Sequence, residues 1–391
     1  MISVSEAIQQ IENYCKPNNF EQKSIKEVLG LVLAEDIFSP INMPPFKQSS
    51  MDGYAFTYDD DSNYEIVGEV QAGDSKNIEL KSGQAVRIFT GARVPDHADT
   101  VVMQEHTKVE GEKLTIEKLP TKFSNVRPLG EQIAEGELAL AKGTLLNEGT
   151  IGFLAGLGIA EVKVYSVPKV SILITGDELR QVGEKLEEGQ VYDSNSITLQ
   201  LALKKLGITE ARIVKIEDDF EATKRAIQEE LDAADIILIS GGISVGDYDF
   251  VKRSLEENKV TEIFYKVNQK PGKPLWFGHK EERLVFALPG NPASSLSCFY
   301  VYVLPVIQAK LGHSNYHLQR GEAKAANGVK NVYGKTLFLK GVVADGVATQ
   351  LTGQASSMLK SFATANTLLV VPENKEVIQE GEEITYIQLN S

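Results

Sequence analysis

Between residues 168 and 312, short apolar runs alternate with longer amphipathic stretches. Residues 169–174, 211–216, 236–240, 262–267 and 284–288 are rich in β-branched and aliphatic side chains and read as strands. The run Ala234-Asp235-Ile236-Ile237-Leu238-Ile239 has the composition of a strand buried on both faces. Residues 196–206, 220–233, 249–257 and 293–311 read as helices between and after these strands. Alternating β and α elements predict a mostly parallel, doubly wound sheet. Ligands of such sheets lie beyond the carboxyl ends of the strands.

The flanking regions have other textures. Val4, Ala7, Ile8 and Ile11 recur at helical spacing over residues 3–14, with Ser3 or Ser5 as cap. A second helical piece is predicted over 25–33, before Pro40, Pro44 and Pro45 break the pattern. From about 46 to 140, strand-like runs (64–70, 85–89, 100–103 and 113–117) alternate with Gly, Asp and Pro turns, as in an all-β insert. Residues 151–157 return to helix and lead to a strand at 161–165. Beyond 316 the chain is strand and turn again (336–343, 347–351, 367–371, 383–388), which predicts a small β-barrel or sandwich. A chain of 391 residues with this organisation is an α/β multidomain protein of two to four domains.

Composition narrows the function. The formal charge is −14, which disfavours a general nucleic-acid binder and requires any polyanionic ligand to meet locally clustered cations. Two cysteines, Cys15 and Cys298, carry no pairing pattern, in keeping with a reducing cytoplasm. The five histidines are scattered, so no His-based zinc site is visible. The sequence shows no secretory signal pattern and no run of membrane-spanning length.

The chemically loaded segments sit at the predicted strand ends. Ser240-Gly241-Gly242-Ile243-Ser244-Val245-Gly246-Asp247-Tyr248-Asp249 places three glycines, two serines and two aspartates between a buried strand and a helix. Bare backbone N–H groups in such a turn hold anions, and carboxylates beside a phosphate call for a divalent cation between them. The same turn also reads as a plain helix cap. Thr175-Gly176-Asp177-Glu178, Asp218-Asp219 and Pro289-Gly290-Asn291-Pro292 lie at the same predicted edge. Lys270-Pro271-Gly272-Lys273-Pro274 sets two lysines three apart on a stiff turn, either an oxyanion clamp or solvated charge. Tyr192-Asp193-Ser194-Asn195 reads first as a helix cap. Outside this region stand Met51-Asp52-Gly53-Tyr54, Phe89-Thr90-Gly91-Ala92 and Asn125-Val126-Arg127-Pro128-Leu129-Gly130-Glu131. Arg127 before a proline reads either as a planar fork for a phosphate or, as is more common for a lone Arg, as solvated surface charge.

Taken in order, these segments resemble the molybdopterin molybdenumtransferase family, the MoeA proteins and the E domain of gephyrin. The resemblance spans nearly the whole chain, with a weaker echo at Gly353-Gln354-Ala355-Ser356-Ser357. It implies an elongated homodimer of four-domain subunits. Residues 1–45 and 141–168 would form a discontinuous N-terminal dimerisation domain and 46–140 an inserted β domain. Residues 169–312 would form the molybdopterin-binding α/β domain and 313–391 the C-terminal β domain. The cleft would be shared between subunits.

The implied substrates are adenylylated molybdopterin and molybdate, with Mg²⁺ as cofactor and AMP as a product. The implied catalytic residues are Asp52, Thr90, Arg127, Glu178 and Asp249, with Asp52, Glu178 and Asp249 on the metal. Ser240, Gly241, Gly242, Ser244 and Gly246 would cradle the pterin phosphate, with Pro289, Asn291 and Asp219 or its neighbour Asp218 also at the ligand. Lys270, Lys273 and Ser356 would hold the oxyanion. A cytoplasmic location and a molybdopterin adenylyltransferase partner go with this reading, without nucleic acid or membrane.

Two positions depart from the family pattern. Gln132 stands where the family usually has Asp, and Lys340 where it often has Arg. Lys340 keeps the charge but loses the bidentate fork. Both departures open the alternatives of a tungstate-preferring paralogue and a non-enzymatic dimeric scaffold.

Overall fold

A computed structural model describes residues 1–75, 78–243 and 250–389. The chain forms two compact units. The first comprises Met1–Glu21, Gly30–Ala34 and Lys163–Ser391, and the second Gln22–Leu29 and Glu35–Val162.

The centre of the first unit is a six-stranded sheet. Its order is Arg212–Ile216, Val170–Thr175, Ile236–Ser240, Arg283–Leu288, Trp276–Lys280 and Thr261–Tyr265. The first four strands run parallel, and Trp276–Lys280 runs against its neighbours. Successive side chains alternate between two cores, as a strand buried on both faces requires. Ile172, Ile174, Ile236, Leu238 and Phe286 pack with Leu199, Leu203 and Phe299. Leu173, Ile237, Ile239 and Val285 pack with Ile227, Leu231, Val251 and Leu255 on the other face. Helices Asn195–Lys205 and Pro292–Lys310 therefore cover one side, and Phe220–Ala233 and Phe250–Glu257 the other.

The doubly wound, mostly parallel sheet read from the sequence is present. The strand Trp276–Lys280 is an addition to that reading. It forms a hairpin with Arg283–Leu288 through Glu281, which takes a positive φ of 53°. Trp276 is 1% exposed; its Nε1 donates to Glu262 Oε2 at 2.9 Å, and its ring lies against Gly278.

The Pro292–Lys310 helix is 19 residues long and meets the length and composition of a membrane span, which corrects the expectation that no run does. Of its 18-residue apolar window, 83% is buried within the protein, as in a core helix. A π-type turn over Phe299–Val303 interrupts its regular winding.

Residues beyond the helix form a closed barrel-like sheet. Thr336–Ala344 pairs with Val347–Gln350 and Thr367–Val371, Arg320–Ala325 with Val347–Gln350 and Glu383–Gln388, and Glu383–Gln388 with Thr367–Val371. The short strand Gln269–Lys270 adds to this sheet, parallel to Thr336–Leu337.

The second unit holds another six-stranded sheet built from Gly53–Phe56, Asn63–Val70, Gln84–Ile88, Thr100–Met103, Thr107–Glu110 and Lys113–Ile116. The strands expected there are present. The helix expected over 25–33 is not: only Ile25–Glu27 winds, as a short 3-10 turn capped by Ser24 Oγ. Gly30 follows with φ +79°, a conformation that ends helical winding, and Leu29 stands 66% exposed while Val28, Val32 and Leu33 are buried. At the amino end, Val4–Glu12 is helical and Ser3 is its cap: Glu6 N–H donates to Ser3 Oγ while the Glu6 carboxylate accepts from Ser3 N–H.

Candidate functional site

A cleft of about 940 Å³ opens at the carboxyl ends of the parallel strands, wholly within the first unit. Its size is at the upper end for small-molecule sites, large enough for a ligand of several rings. One wall is built by turns that follow the strands: Thr175, Gly176 and Glu178; Asp218; Ser240, Gly241 and Gly242; Pro289, Gly290 and Asn291. The chain turns sharply after Ser240 because Gly241 and Gly242 take φ values of +96° and +61°. A Cβ on Gly241 would lie 2.8 Å from Thr175 Oγ1 and 2.9 Å from Thr175 O, so the turn closes against the neighbouring strand only with glycine. Asn195 ties this wall together. Its Nδ2 donates to Ser240 Oγ and to Gly290 O, both at 2.8 Å. Ser244, Gly246 and Asp249, expected at this wall, lie outside the described residues.

Adjacent acids divide their work. Asp219 Oδ1 accepts from Ala222 N–H at 2.8 Å and caps the Phe220–Ala233 helix, whereas Asp218 lines the cleft. Asp218 and Asp177 exchange bonds at 3.3 Å, each backbone N–H donating to the other's carboxylate. Of these two acids, Asp218 is in the cleft lining and Asp219 is not. Asp193 accepts from Ser196 N–H at 3.0 Å and supports the start of the next helix, as its sequence context suggested.

Lys270, Lys273, Tyr333 and Ser356 also line the cleft. Both lysines are exposed and flank Pro271 and Gly272. Beneath them Gln269 is buried, with Nε2 donating to Gly272 O at 2.8 Å. Tyr302, placed by the π-type turn, donates from its hydroxyl to Gln269 Oε1. Cys298 lies under the same turn, its thiol pushed up to about 12 by burial and therefore neutral. Lys270 Nζ sits 3.3 Å from the Tyr333 ring centroid, and hydrogen bonding to Lys270, followed by its charge, draws the Tyr333 phenol below its usual value. Ser356 Oγ accepts from Asn291 Nδ2 at 3.0 Å, and Ser356 O accepts from Ser294 N–H at 3.2 Å. Neither Asn195, Gln269, Tyr302 nor Tyr333 was singled out from the sequence. Asn195 lay inside a quoted motif, but nothing in the local pattern marked the others.

Lys340 does not line the cleft. Its side chain is buried and donates to backbone carbonyls, so it is not placed as an oxyanion ligand.

The second unit gathers the remaining motifs. Val126–Arg127 pairs antiparallel with Gln48–Ser49, and Ser49 exchanges backbone bonds with Gly91 and Ala92 at 2.9 Å. Asp52 Oδ1 accepts from both the N–H and the Oγ1 of Thr90 at 2.8 Å. These two donors hold the Asp52 carboxyl below the ordinary carboxylate range, the backbone N–H contributing most. Gln132 N–H donates to Met43 O at 2.9 Å, while its side chain is exposed.

Replacing Thr90 by Val removes one donor and keeps the N–H, so the Asp52 titration midpoint is expected to rise toward the ordinary aspartate value of about 3.9. The pair's contribution is complete above that value and is lost as acid titrates Asp52 below it. NMR titration of the Asp52 carboxyl reads this directly. An unmoved midpoint would show that the backbone N–H alone sets it.

Among the described residues no cluster of three or more His, Cys, Asp or Glu forms a metal site. The cleft does present hard oxygen donors, the carboxylates of Glu178 and Asp218. Magnesium keeps several waters and needs only one or two carboxylates, so this donor set suits Mg²⁺ rather than a thiophilic metal.

Three family models match the chain along its length. They are the MoeA N-terminal region (domain I and II) over residues 2–158, a probable molybdopterin binding domain over 171–309, and the MoeA C-terminal region (domain IV) over 322–389. The molybdopterin molybdenumtransferase of Haemophilus influenzae is 36% identical over 96% of this chain and 95% of its own. That of Bacillus subtilis is 31% identical over 98% of this chain and 93% of its own. The solved MoeA protein of Pyrococcus horikoshii superimposes with a TM-score of 0.88 at 29% identity, covering 100% of both chains. The three models in sequence, together with relatives similar from end to end, show that this chain belongs to the MoeA family of molybdopterin molybdenumtransferases.

Proposed function

We propose that this protein transfers molybdenum from molybdate to adenylylated molybdopterin, with Mg²⁺, releasing AMP in the synthesis of molybdenum cofactor. The observation that carries the reading is the lining of one cleft. A glycine turn that opens with the Ser240 hydroxyl and two lysines on a second glycine turn line the same cleft, in a chain of net charge −14.

In this reading Ser240, Gly241 and Gly242 cradle the pterin phosphate, the Ser240 hydroxyl and the Gly242 N–H as donors and Gly241, whose N–H donates to Leu288 O, as the bend that lets the backbone approach. Pro289 and Asn291 border the same ligand, and Asn195 keeps their turn in register with Ser240. Lys270 and Lys273 with Ser356 bind the oxyanion, whose oxygens accept from ammonium and hydroxyl groups. Glu178 and Asp218 hold Mg²⁺, with Asp249 as a further candidate. When bound, the metal shields phosphate from these carboxylates and stabilises negative charge on the phosphoryl oxygens.

Homodimerisation belongs to the proposal. Asp52, Thr90 and Arg127 of one copy are assigned to the cleft of another. The division into residues 1–45 with 141–168, 46–140, 169–312 and 313–391 is proposed likewise, as are a cytoplasmic location and supply of the substrate by a molybdopterin adenylyltransferase. Lys340 lends no direct support to a tungstate-preferring paralogue, because it does not reach the cleft.

The test mixes purified protein with adenylylated molybdopterin, Mg²⁺ and either molybdate or tungstate, and measures AMP together with pterin-bound metal. AMP release that requires both Mg²⁺ and molybdate, with metal incorporated, is the expected result. Tight nucleotide binding without AMP release would instead favour the scaffold reading.

A further inference from the structure

Ser356 reaches the cleft on a loop spanning residues 353–358, and that loop has an ammonium behind it. Lys340 lies on the barrel strand Thr336–Ala344 and is 1% exposed. Its Nζ donates to Gly353 O at 2.8 Å, Met358 O at 3.0 Å and Ala355 O at 3.3 Å. All three protons of the ammonium are thus directed at one loop, at positions on both sides of Ser356. The backbone of Lys340 is tied to the same loop: its N–H donates to Gln354 Oε1 at 3.0 Å, and its carbonyl accepts from Gln354 Nε2 at 2.8 Å. Ser361 Oγ adds a bond to Gly353 O at 2.8 Å.

Among the described residues no carboxylate makes an ion pair with Lys340. The Phe362 ring centroid lies 5.7 Å from Nζ. Burying an ammonium without a counter-ion is costly, and carbonyl dipoles offset only part of that cost. If barrel stability were the only demand, an apolar side chain at this strand position would serve it. The cost makes sense if the loop must be held in one conformation beside an anion. Its other side is already held by Asn291 and Ser294 at the start of the long helix.

We propose that Lys340 is a positioning residue for oxyanion binding. It fixes the 353–358 loop so that Ser356 stays presented to the cleft. The proposal rests on the reading that the cleft binds an oxyanion at Ser356.

Molybdate binding to the full-length protein is measured by titration calorimetry for the parent chain, Lys340→Met, Ser356→Ala and the double variant. Lys340→Met is expected to weaken molybdate by about tenfold, equivalent to about 1.4 kcal/mol. Because Lys340 acts through Ser356, the double variant is expected to bind no more weakly than the worse single variant, a non-additivity that a purely structural role would not produce. Lys340→Gln keeps an N–H donor but no charge, and covers the case in which Lys340→Met does not fold. An affinity within about twofold of the parent in whichever of these variants folds overturns the proposal. Independent, multiplying effects of Lys340→Met and Ser356→Ala overturn it as well. A parent chain that binds no molybdate would sink the oxyanion reading itself, and the proposal with it.

Discussion

With Lys270 and Lys273 both replaced by glutamine, molybdate-dependent turnover is expected to fall by at least about 100-fold while the fold survives. A hydrogen bond to a charged group contributes about 1.5–3 kcal/mol, so losing two charges costs about 3–6 kcal/mol of anion binding. Each 1.4 kcal/mol is about a factor of ten. The protein carries a formal charge of −14, so the bulk field repels an oxyanion and the local cations must overcome it. Both side chains are exposed, and exposed substitutions usually change stability by less than about 0.5 kcal/mol. The contact of Lys270 with Tyr333 is also lost, at an exposed cation–π value of about 0.5–1 kcal/mol. Steady-state kinetics against molybdate concentration, with a thermal melt on the same sample, separate the two effects. Turnover that stays within about tenfold of the parent would place the oxyanion's ligands elsewhere in the cleft.

The second large effect is expected at Gly272. Its φ of +88° costs an L-residue about 1–2 kcal/mol. A methyl there would also lie 2.5 Å from Cys298 Sγ and 3.1 Å from Gln269 Nε2. Overpacking of this kind costs about 1–3 kcal/mol, so Gly272→Ala is expected to destabilise by about 2–5 kcal/mol in all. The turn would be pushed away from the Tyr302–Gln269 pair, carrying both cleft lysines with it. Activity would then fall in the fraction that remains folded. Adding Cys298→Ala removes the sulfur and is expected to recover about half of the lost stability, leaving the φ term. Urea unfolding of the two variants reads both numbers. A Gly272→Ala midpoint equal to the parent's would contradict the packing described under this turn.

Legibility in the sequence followed burial. Strands such as Ile236–Ser240 could be read because Ile236, Ile237, Leu238 and Ile239 are apolar and alternate between two cores. The turns after them could be read because glycine, proline and aspartate crowd where backbone must bend and carry ligands. Trp276–Lys280 was missed because its glycine and polar ends resemble a loop, and antiparallel pairing with Arg283–Leu288 decides its state. The predicted helix at 25–33 failed because Val28, Val32 and Leu33 are buried without helical winding, beyond a capped single turn. Asp218 and Asp219 are chemically equal in sequence; only the start of a helix at Phe220 assigns one of them to capping. Lys340 gave no local sign of burial, since a lone lysine in a strand pattern normally reaches solvent. Its partners are carbonyls of a loop more than ten residues away, and no side-chain motif encodes those.

Trp276 has a consequence for how the molecule comes apart. It is the sole tryptophan of the chain, and it lies in the central sheet of the first unit. Packed against Gly278 and bonded to Glu262, it should emit as a shielded indole until that sheet opens. The second unit has no tryptophan and is silent in this channel. Circular dichroism, by contrast, sees the backbone of both. Superimposable denaturation curves from the two signals would mean one cooperative transition, whereas separated midpoints would mean that the two units melt independently.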